Sequence, residues 1–212
     1  MTEQELSKEL DALGLTLPAA ALTPLGAYLD LLVRWNRVMN LVGVSTWQRA
    51  LRTLIVDSVH LAAFLRRPEL ALPAAPVCWD LGSGAGLPGI PLRMLWQDGV
   101  YWLVEAREKR TLFMRTFLAS HPLPRTQVHC GRAETFMPGA GQADCILSRA
   151  FMPWEKLLDF VAPHLAPAGT VVLLLNEPVS LPSASPWIER ARLAYHADKA
   201  ARCFVALSRH AG

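Results

Sequence analysis

A glycine-rich turn constrains this chain more than any other feature of its sequence. Its four glycines fall within eight residues, at Gly82, Gly84, Gly86 and Gly89. The preceding apolar run predicts a strand and the following residues predict a helix. Glycine has no Cβ, so a turn of this kind lets the backbone lie directly against a ligand. The spacing from Gly84 to Gly89 also matches the Gly-x-Gly-x-x-Gly pattern of dinucleotide sites.

Short apolar runs alternate with helical patterns beyond residue 76, which is typical of an α/β fold with a parallel sheet covered on both faces. Five strands are predicted before residue 176: Val77–Leu81, Val100–Glu105, Gln127–Cys130, Asp144–Leu147 and Thr170–Leu175. Helices are predicted between them: Pro91–Trp96, Lys109–Ser120 and Trp154–His164. Leu193–Ala197 and Arg202–Leu207 follow each other without a helix, which predicts a closing antiparallel pair.

The first 67 residues are predicted to be helical. Thr2 and Glu5 fit a capping box, and Thr23 before Pro24 fits an N-cap with proline at the first helical position. An apolar stripe at helical spacing follows: Leu25, Tyr28, Leu29, Leu32 and Trp35. A further helix is predicted over Ala50–Arg66. This stripe needs a surface to pack against.

Three prolines between residues 68 and 76 predict a boundary, so we expect an N-terminal helical segment (1–67) packed on a core (76–212). The composition, 52% hydrophobic and 18% charged over 212 residues, indicates a compact globular protein. No apolar run approaches the ~20 residues of a membrane helix, and the N-terminus has no signal-peptide pattern, so a cytoplasmic location without a membrane partner is expected. The four scattered cysteines and the spacing of the histidines predict neither disulfides nor a metal site.

Two acidic residues near the turn bear on the choice of cofactor. Glu105 ends the next predicted strand, where a carboxylate can accept hydrogen bonds from the hydroxyls of an adenosine ribose. Asp80 precedes the first glycine by two residues, and we expect its charge at the mouth of the turn. That charge would repel the pyrophosphate of NAD but attract the sulfonium and ammonium of S-adenosylmethionine. S-adenosylmethionine is favoured; a nicotinamide oxidoreductase and a turn without a ligand remain as alternatives.

Several stretches of the sequence, including the turn, together form a pattern that is typical of one protein family. They are Asp80 to Leu92, Glu105 with Lys109-Arg110 and Phe113, Arg132-Ala133-Glu134, Ser148-Arg149-Ala150, Trp35-Asn36, Asn40-Leu41 and Asp57-Ser58. In this order they closely resemble the RsmG family, also called glucose-inhibited division protein B, which comprises bacterial 16S rRNA guanine-N7 methyltransferases. Leu54 and Asn176 stand where that family usually has His and Lys. The resemblance implies a class I S-adenosylmethionine-dependent methyltransferase (Rossmann-like) fold, a seven-stranded mixed sheet with an antiparallel last strand and an N-terminal helical extension.

Candidate site residues come from the turn, the strand ends and this resemblance. We expect the cofactor to be bound by Asp80, Gly82, Ser83, Gly84, Gly86, Leu87, Glu105, Ala133, Glu134 and Arg149. Cations near strand ends meet phosphates or the O6 and N7 edge of guanine, so Arg149 and Arg132 are the candidate catalytic residues. The candidate substrate contacts are Asn36, Asn40, Lys109, Arg110 and Arg202.

Missing motifs also narrow the reaction. Ser148-Arg149-Ala150-Phe151 replaces the Asn/Asp-Pro-Pro-aromatic motif that accompanies methylation of an exocyclic amine, and no cysteine is placed as the nucleophile needed for pyrimidine carbon 5. Guanine N7 needs neither device. The resemblance implies the guanosine of the 530 loop (the G527-type position) as acceptor, in 16S rRNA or a small-subunit assembly intermediate, and we expect a monomer. Methylation of another RNA or of a small molecule is the alternative.

Overall fold

The computed structural model describes residues 1–210. Residues 211 and 212, the end of the predicted core, lie outside the described part. Seven strands form one mixed sheet in the order β3-β2-β1-β4-β5-β7-β6. The strands are β1 (Val77–Leu81), β2 (Val100–Glu105), β3 (Thr126–Cys130), β4 (Ala143–Arg149), β5 (Leu165–Leu175), β6 (Trp187–Ala197) and β7 (Ala200–Arg209). The first five strands run parallel, and β7 is antiparallel to both β5 and β6, which confirms the predicted fold class.

Four helices connect the strands of the parallel part. They are α5 (Gly89–Leu95), α6 (Glu108–Ser120), α7 (Ala133–Ala140) and α8 (Trp154–Val161). The sequence prediction lacked α7, whose last turn contains Pro138 and Gly139, two residues that normally interrupt helices. It also began β6 six residues late, at Leu193, because three charged residues interrupt the first half of this edge strand: Glu189, Arg190 and Arg192.

The N-terminal segment is helical, with one difference at a helix start. Its elements are α1 (Glu3–Ala12), α2 (Ala19–Met39), α3 (Trp47–Ala50), a π-helical turn (Leu51–Ile55) and α4 (Val56–Phe64). Thr2 and Glu5 form the predicted capping box. The predicted cap at Thr23 is wrong: α2 begins at Ala19, places Pro24 inside the helix, and leaves the Thr23 hydroxyl to donate to the Glu3 carboxylate. Among residues 1–210, no helix combines the length and apolarity needed to cross a membrane.

The helical segment shares one apolar core with the sheet. Leu29 of α2 and Leu61 of α4 belong to the same buried cluster as Leu103 of β2. A second cluster on the opposite face joins α7 and α8 to the sheet, with Phe136 and Leu157 among its members. The N-terminal helices therefore contribute, with α5 and α6, to one of the two layers that cover the sheet.

A shared core makes a prediction for stability. Leu29 is fully buried, so Leu29→Ala should lower the free energy of unfolding of the whole molecule by about 2–5 kcal/mol. Val38 lies on the same helix but is 87% exposed, so Val38→Ala should change it by no more than about 0.5 kcal/mol. Urea unfolding followed by circular dichroism and tryptophan fluorescence measures both. A separate early transition confined to the helices in Leu29→Ala would show that the core is not shared.

Candidate active site

The glycine turn opens its backbone toward a cleft at the carboxyl ends of the strands. Gly82, Gly84 and Gly86 all have positive φ, between 60° and 79°, a region that residues with a Cβ rarely adopt. A Cβ built at Gly84 would meet only the Arg110 guanidinium, at 3.6 Å, and the Gly82 carbonyl, at 3.9 Å. At Gly86 it would collide with the Ile90 side chain, 2.5 Å away. Gly84 thus presents open backbone to the cleft, whereas Gly86 permits close packing inside the protein.

The N-terminal helices hold the turn from the protein side. The Tyr28 hydroxyl of α2 donates to the Ala85 carbonyl at 2.9 Å, and the Ser58 hydroxyl of α4 donates to the Pro88 carbonyl at 2.9 Å. Both hydroxyl groups belong to buried residues. A buried carbonyl needs a donor, so these two contacts fix the path of the turn on either side of Leu87.

Glu105 stands at the end of β2 beside the turn. One oxygen (Oε2) accepts from the Gly84 amide and the other (Oε1) from the Arg107 amide, both at 2.9 Å. The Arg110 guanidinium lies 3.7 Å from Oε2. An ionised carboxylate offers about four acceptor positions, so Glu105 retains capacity for two further donors such as ribose hydroxyls. Its position is set by the register of the sheet, because Leu81, just before Gly82, pairs with Val104.

Asp80 lies beneath the turn and not at its mouth, which corrects the sequence-based expectation. The side chain is 1% exposed, and its Oδ2 accepts from the Tyr101 hydroxyl at 3.2 Å. Burial raises the pKa of Asp80 to about 7, against the opposing effects of Arg149, the Tyr101 hydroxyl and the Gly89 amide. Strand alternation explains the placement, since a residue two positions before the turn is still inside the sheet. Asp80 supports the turn from below.

Two adjoining cavities make up the cleft, and they share Gly82, Arg110 and Ala150. The Glu105 cavity, of about 480 Å³, lies on the β2–β3 side and is also lined by Gly131, Arg132, Ala133, Glu134 and Phe151. The Asp57 cavity, of about 390 Å³, lies on the β4–β5 side and is also lined by Ser83, Gly84, Leu87, Leu54, Asn176, Arg149, Tyr195 and Arg202. The turn therefore separates two compartments of one cleft.

A buried acid with two arginines dominates the Asp57 cavity. Asp57 of α4 is 2% exposed, and its Oδ2 is 3.4 Å from a terminal nitrogen of Arg149. Its Oδ1 is 4.0 Å from Nε of Arg202 and accepts from the Tyr195 hydroxyl at 2.7 Å. Arg202 also donates to Oδ1 of Asn176 at 2.9 Å. One negative charge thus faces two positive charges, which leaves the cavity suited to an anionic group.

The two predicted catalytic arginines do not meet in one cavity. Arg149 ends β4 and lines the Asp57 cavity, whereas Arg132 follows β3 and lines the Glu105 cavity. The strand order β3-β2-β1-β4 puts three interstrand spacings, about 14 Å, between these two strands. Both residues lie at or just beyond strand ends, as predicted, but the sequence does not reveal the order of the strands in the sheet. The structure therefore does not bring these two candidate catalytic residues together.

Three predicted substrate residues occupy other positions than expected. The Asn36 side chain donates to the Val44 carbonyl at 2.7 Å and accepts from the Val42 amide at 2.8 Å, so it shapes the loop that lines the Asp57 cavity. Asn40 is the left-handed C-cap of α2, with φ 47°, and lines neither cavity. Lys109 is exposed on α6, also outside both. The two asparagines therefore have structural roles: Asn36 bonds the backbone of the following loop, and Asn40 caps the helix.

Asp57 and Tyr195 are cleft residues that the sequence reasoning did not select. Asp57 appeared only within the family pattern, and Tyr195 lies in a strand with no catalytic motif. They are 138 residues apart and meet because β6 folds back near α4. The sequence held one signal for Asp57. It is an acidic residue in a helix whose other residues include the apolar Val56, Leu61 and Phe64.

Comparison with known proteins agrees with this geometry. A family model described as rRNA small subunit methyltransferase G (GidB) matches residues 22–178. The chain belongs to this family. Ribosomal RNA small subunit methyltransferase G of Nitratidesulfovibrio vulgaris (strain DP4) is 52% identical over 207 residues, which cover 98% of this chain and 94% of the relative. The protein of the same name from Lawsonia intracellularis is 48% identical over 200 residues, covering 93% and 91%.

Solved structures share the fold at low sequence identity. A ribosomal protein L11 methylase from Lactobacillus delbrueckii subsp. bulgaricus aligns with a TM-score of 0.53 and 16% identity, covering 72% of this chain and 78% of that chain. A precorrin-6y C5,15-methyltransferase from Geobacter metallireducens gives 0.51 and 15%, covering 71% and 88%. The fold is that of class I methyltransferases, and members of the methyltransferase G family use S-adenosylmethionine as methyl donor.

The buried Asp80 makes a prediction for pH dependence. Its pKa is about 7 in the folded protein and near 3.8 when exposed, so between these values the folded state holds a proton that the unfolded state lacks. Stability from this group is therefore present at low pH and lost as pH rises through about 7. Asp80→Asn cannot ionise. Relative to wild type, the free energy of unfolding of this variant should increase by up to about 1.4 kcal/mol for each pH unit between about pH 5 and 7.

Urea unfolding of both proteins at several pH values from about 5 to 8 measures this difference. Parallel curves of unfolding free energy against pH would show that Asp80 is not the titrating group.

Proposed function

We propose that this chain transfers a methyl group from S-adenosylmethionine to N7 of a guanosine in 16S rRNA, at the G527-type position of the 530 loop. The observation that carries the proposal is the pairing of a ribose-type carboxylate, Glu105, with a cation-lined cavity across one glycine turn. The family supports the reaction class, and its relatives are named as ribosomal RNA small subunit methyltransferases.

The described residues fit the donor. Glu105 has free acceptor positions for ribose hydroxyls, and the open backbone at Gly84 leaves room that a Cβ would fill. Ala133 and Glu134, at the start of α7, line the Glu105 cavity and would flank the adenine. When bound, S-adenosylmethionine supplies a methyl group on a cationic sulfonium.

Guanine N7 as acceptor agrees with the described lining of the Asp57 cavity, which contains no histidine and no carboxylate besides Asp57. N7 carries a lone pair and no proton at neutral pH, so positioning suffices and no side chain removes a proton. Asp57 is already engaged by Tyr195 and Arg149, and Asp80 is buried outside both cavities. Arg149 and Arg202 would orient the nucleotide.

The partner would be 16S rRNA or a small-subunit assembly intermediate, engaged by a monomer in the cytoplasm. RNA is favoured over a small molecule because the cavity next to the turn is lined by Arg149, Arg202 and Arg110, and arginines bind phosphates and guanine edges. A small-molecule site would be mostly apolar.

Donor binding should depend on the Glu105 charge. Glu105→Gln keeps the shape but turns an amide group toward the Gly84 and Arg107 N–H donors, so one donor loses its acceptor. We expect calorimetry to show weaker S-adenosylmethionine binding by about 1–3 kcal/mol. Glu108→Gln, on the exposed start of α6 and outside both cavities, is the matched control and should bind normally. Equal affinity in the two variants would remove Glu105 from the donor site.

Acceptor chemistry should depend on Arg149. Nucleoside mass spectrometry of 16S rRNA incubated with enzyme and donor should find N7-methylguanosine at one position with the wild-type protein. Arg149→Ala should lower methylation at least tenfold while donor affinity stays within about twofold, because the guanidinium is assigned to the nucleotide. Lys156→Ala, exposed on α8, serves as the charge-matched control.

Naked 16S rRNA and small-subunit particles should be tested side by side. Activity should fall as salt rises, since neutralised phosphates release counterions. Methylation at another guanine atom, or of neither RNA form, would refute the proposal.

A further inference from the structure

Tyr195 is placed to act on the cleft from the C-terminal hairpin. It lies on β6, the outermost strand, yet its hydroxyl donates to Oδ1 of Asp57 at 2.7 Å. Its ring packs between His60 and Phe204, with ring centroids 4.4 and 4.9 Å away. Burial and the neighbouring Asp57 carboxylate raise the pKa of Tyr195, so the hydroxyl keeps its proton and remains a donor.

Asp57 is much less exposed than the two arginines it holds. The Asp57 side chain is 4% exposed, against 27% for Arg149 and 23% for Arg202. Arg149 has five N–H donors and makes one hydrogen bond, to Oδ2 of Asp57. Its remaining donors are free for a ligand. The acid therefore works behind the guanidinium groups that face the cavity.

The orientation of the carboxylate decides where those groups point. Arg149 interacts with Oδ2, whereas Arg202 lies nearest to Oδ1, at 4.0 Å. The carboxylate torsion of an aspartate is broad and nearly two-fold, so the two arginines alone do not fix it. A hydrogen bond of 2.7 Å from Tyr195 to Oδ1, made by a ring that contacts both His60 and Phe204, restricts that rotation.

We propose that Tyr195 is a positioning residue of the acceptor site: through Asp57 it holds Arg149 and Arg202 in the orientation that receives an anionic group of the RNA. This inference rests on the proposed function. Tyr195 lines the Asp57 cavity, but its hydroxyl is engaged by Asp57, so the effect of removing that hydroxyl must disappear when Asp57 can no longer transmit it.

Tyr195→Phe removes the hydroxyl and keeps the packed ring. Single-turnover methylation of 16S rRNA with excess enzyme should show a half-saturating enzyme concentration about 5- to 20-fold above wild type. The maximal rate and the donor dissociation constant should stay within about twofold, since the Glu105 cavity does not include Tyr195. Thr170→Val is the matched control: it removes another hydrogen-bonded hydroxyl, 3.2 Å from the Leu70 carbonyl, in the middle of β5 and outside both cavities, and should alter stability without altering these constants.

A double-mutant cycle with Asp57→Asn tests the route. Adding Tyr195→Phe to Asp57→Asn should change the half-saturating concentration less than twofold, because the pathway is already broken. Additive effects, or wild-type constants in Tyr195→Phe, would overturn the inference. If the wild-type enzyme itself fails to methylate 16S rRNA, the proposed function has failed instead, and the two failures are thereby distinguished.

Discussion

The contact between the N-terminal helices and the glycine turn is the constraint on which the site depends. A turn with open backbone has carbonyl groups that must find donors once it is buried. Here the Tyr28 and Ser58 hydroxyls supply them, from two helices that belong to the same apolar core as the sheet. The helical segment therefore supports the turn that we assign to donor binding, although it contributes no residue to the Glu105 cavity.

The strand order turns this anchored loop into a divided cleft. Because β1 lies between β2 and β4, Leu81 pairs with both Val104 and Ser148, and the next residues of those strands are Glu105 and Arg149. A carboxylate suited to hydroxyl groups and a guanidinium suited to anions thus flank one turn on opposite sides. The separation of the two cavities follows from the topology and needs no additional domain.

The sequence predicted what depends on local pattern. Strands such as Val77–Leu81 and Val100–Glu105 were bounded correctly because buried parallel strands are short apolar runs between turn residues. Helix α7 was missed and the start of α2 was misplaced. Both helices contain a proline, which local patterns read as a helix boundary but which tertiary packing can accommodate inside a helix. Residues of the turn itself, such as Ser83 and Gly84, could be placed at the cleft from sequence because they are neighbours along the chain. The depth of Asp80, the separation of Arg132 from Arg149, and the meeting of Asp57 with Tyr195 all follow from three-dimensional strand order, which no local pattern contains.

The residues that line the two cavities also become available at different times as the chain is made. Every residue lining the Glu105 cavity lies between positions 82 and 151, whereas the Asp57 cavity requires Tyr195, Arg202 and Phe204 from the final hairpin. A ribosome synthesises the chain from its N-terminus, so the residues of the Glu105 cavity emerge well before the last residues of the Asp57 cavity. The Asp57 cavity is completed only when the last strand joins the sheet between β5 and β6. An incomplete nascent chain therefore lacks the complete Asp57 cavity, whatever the state of its Glu105 cavity.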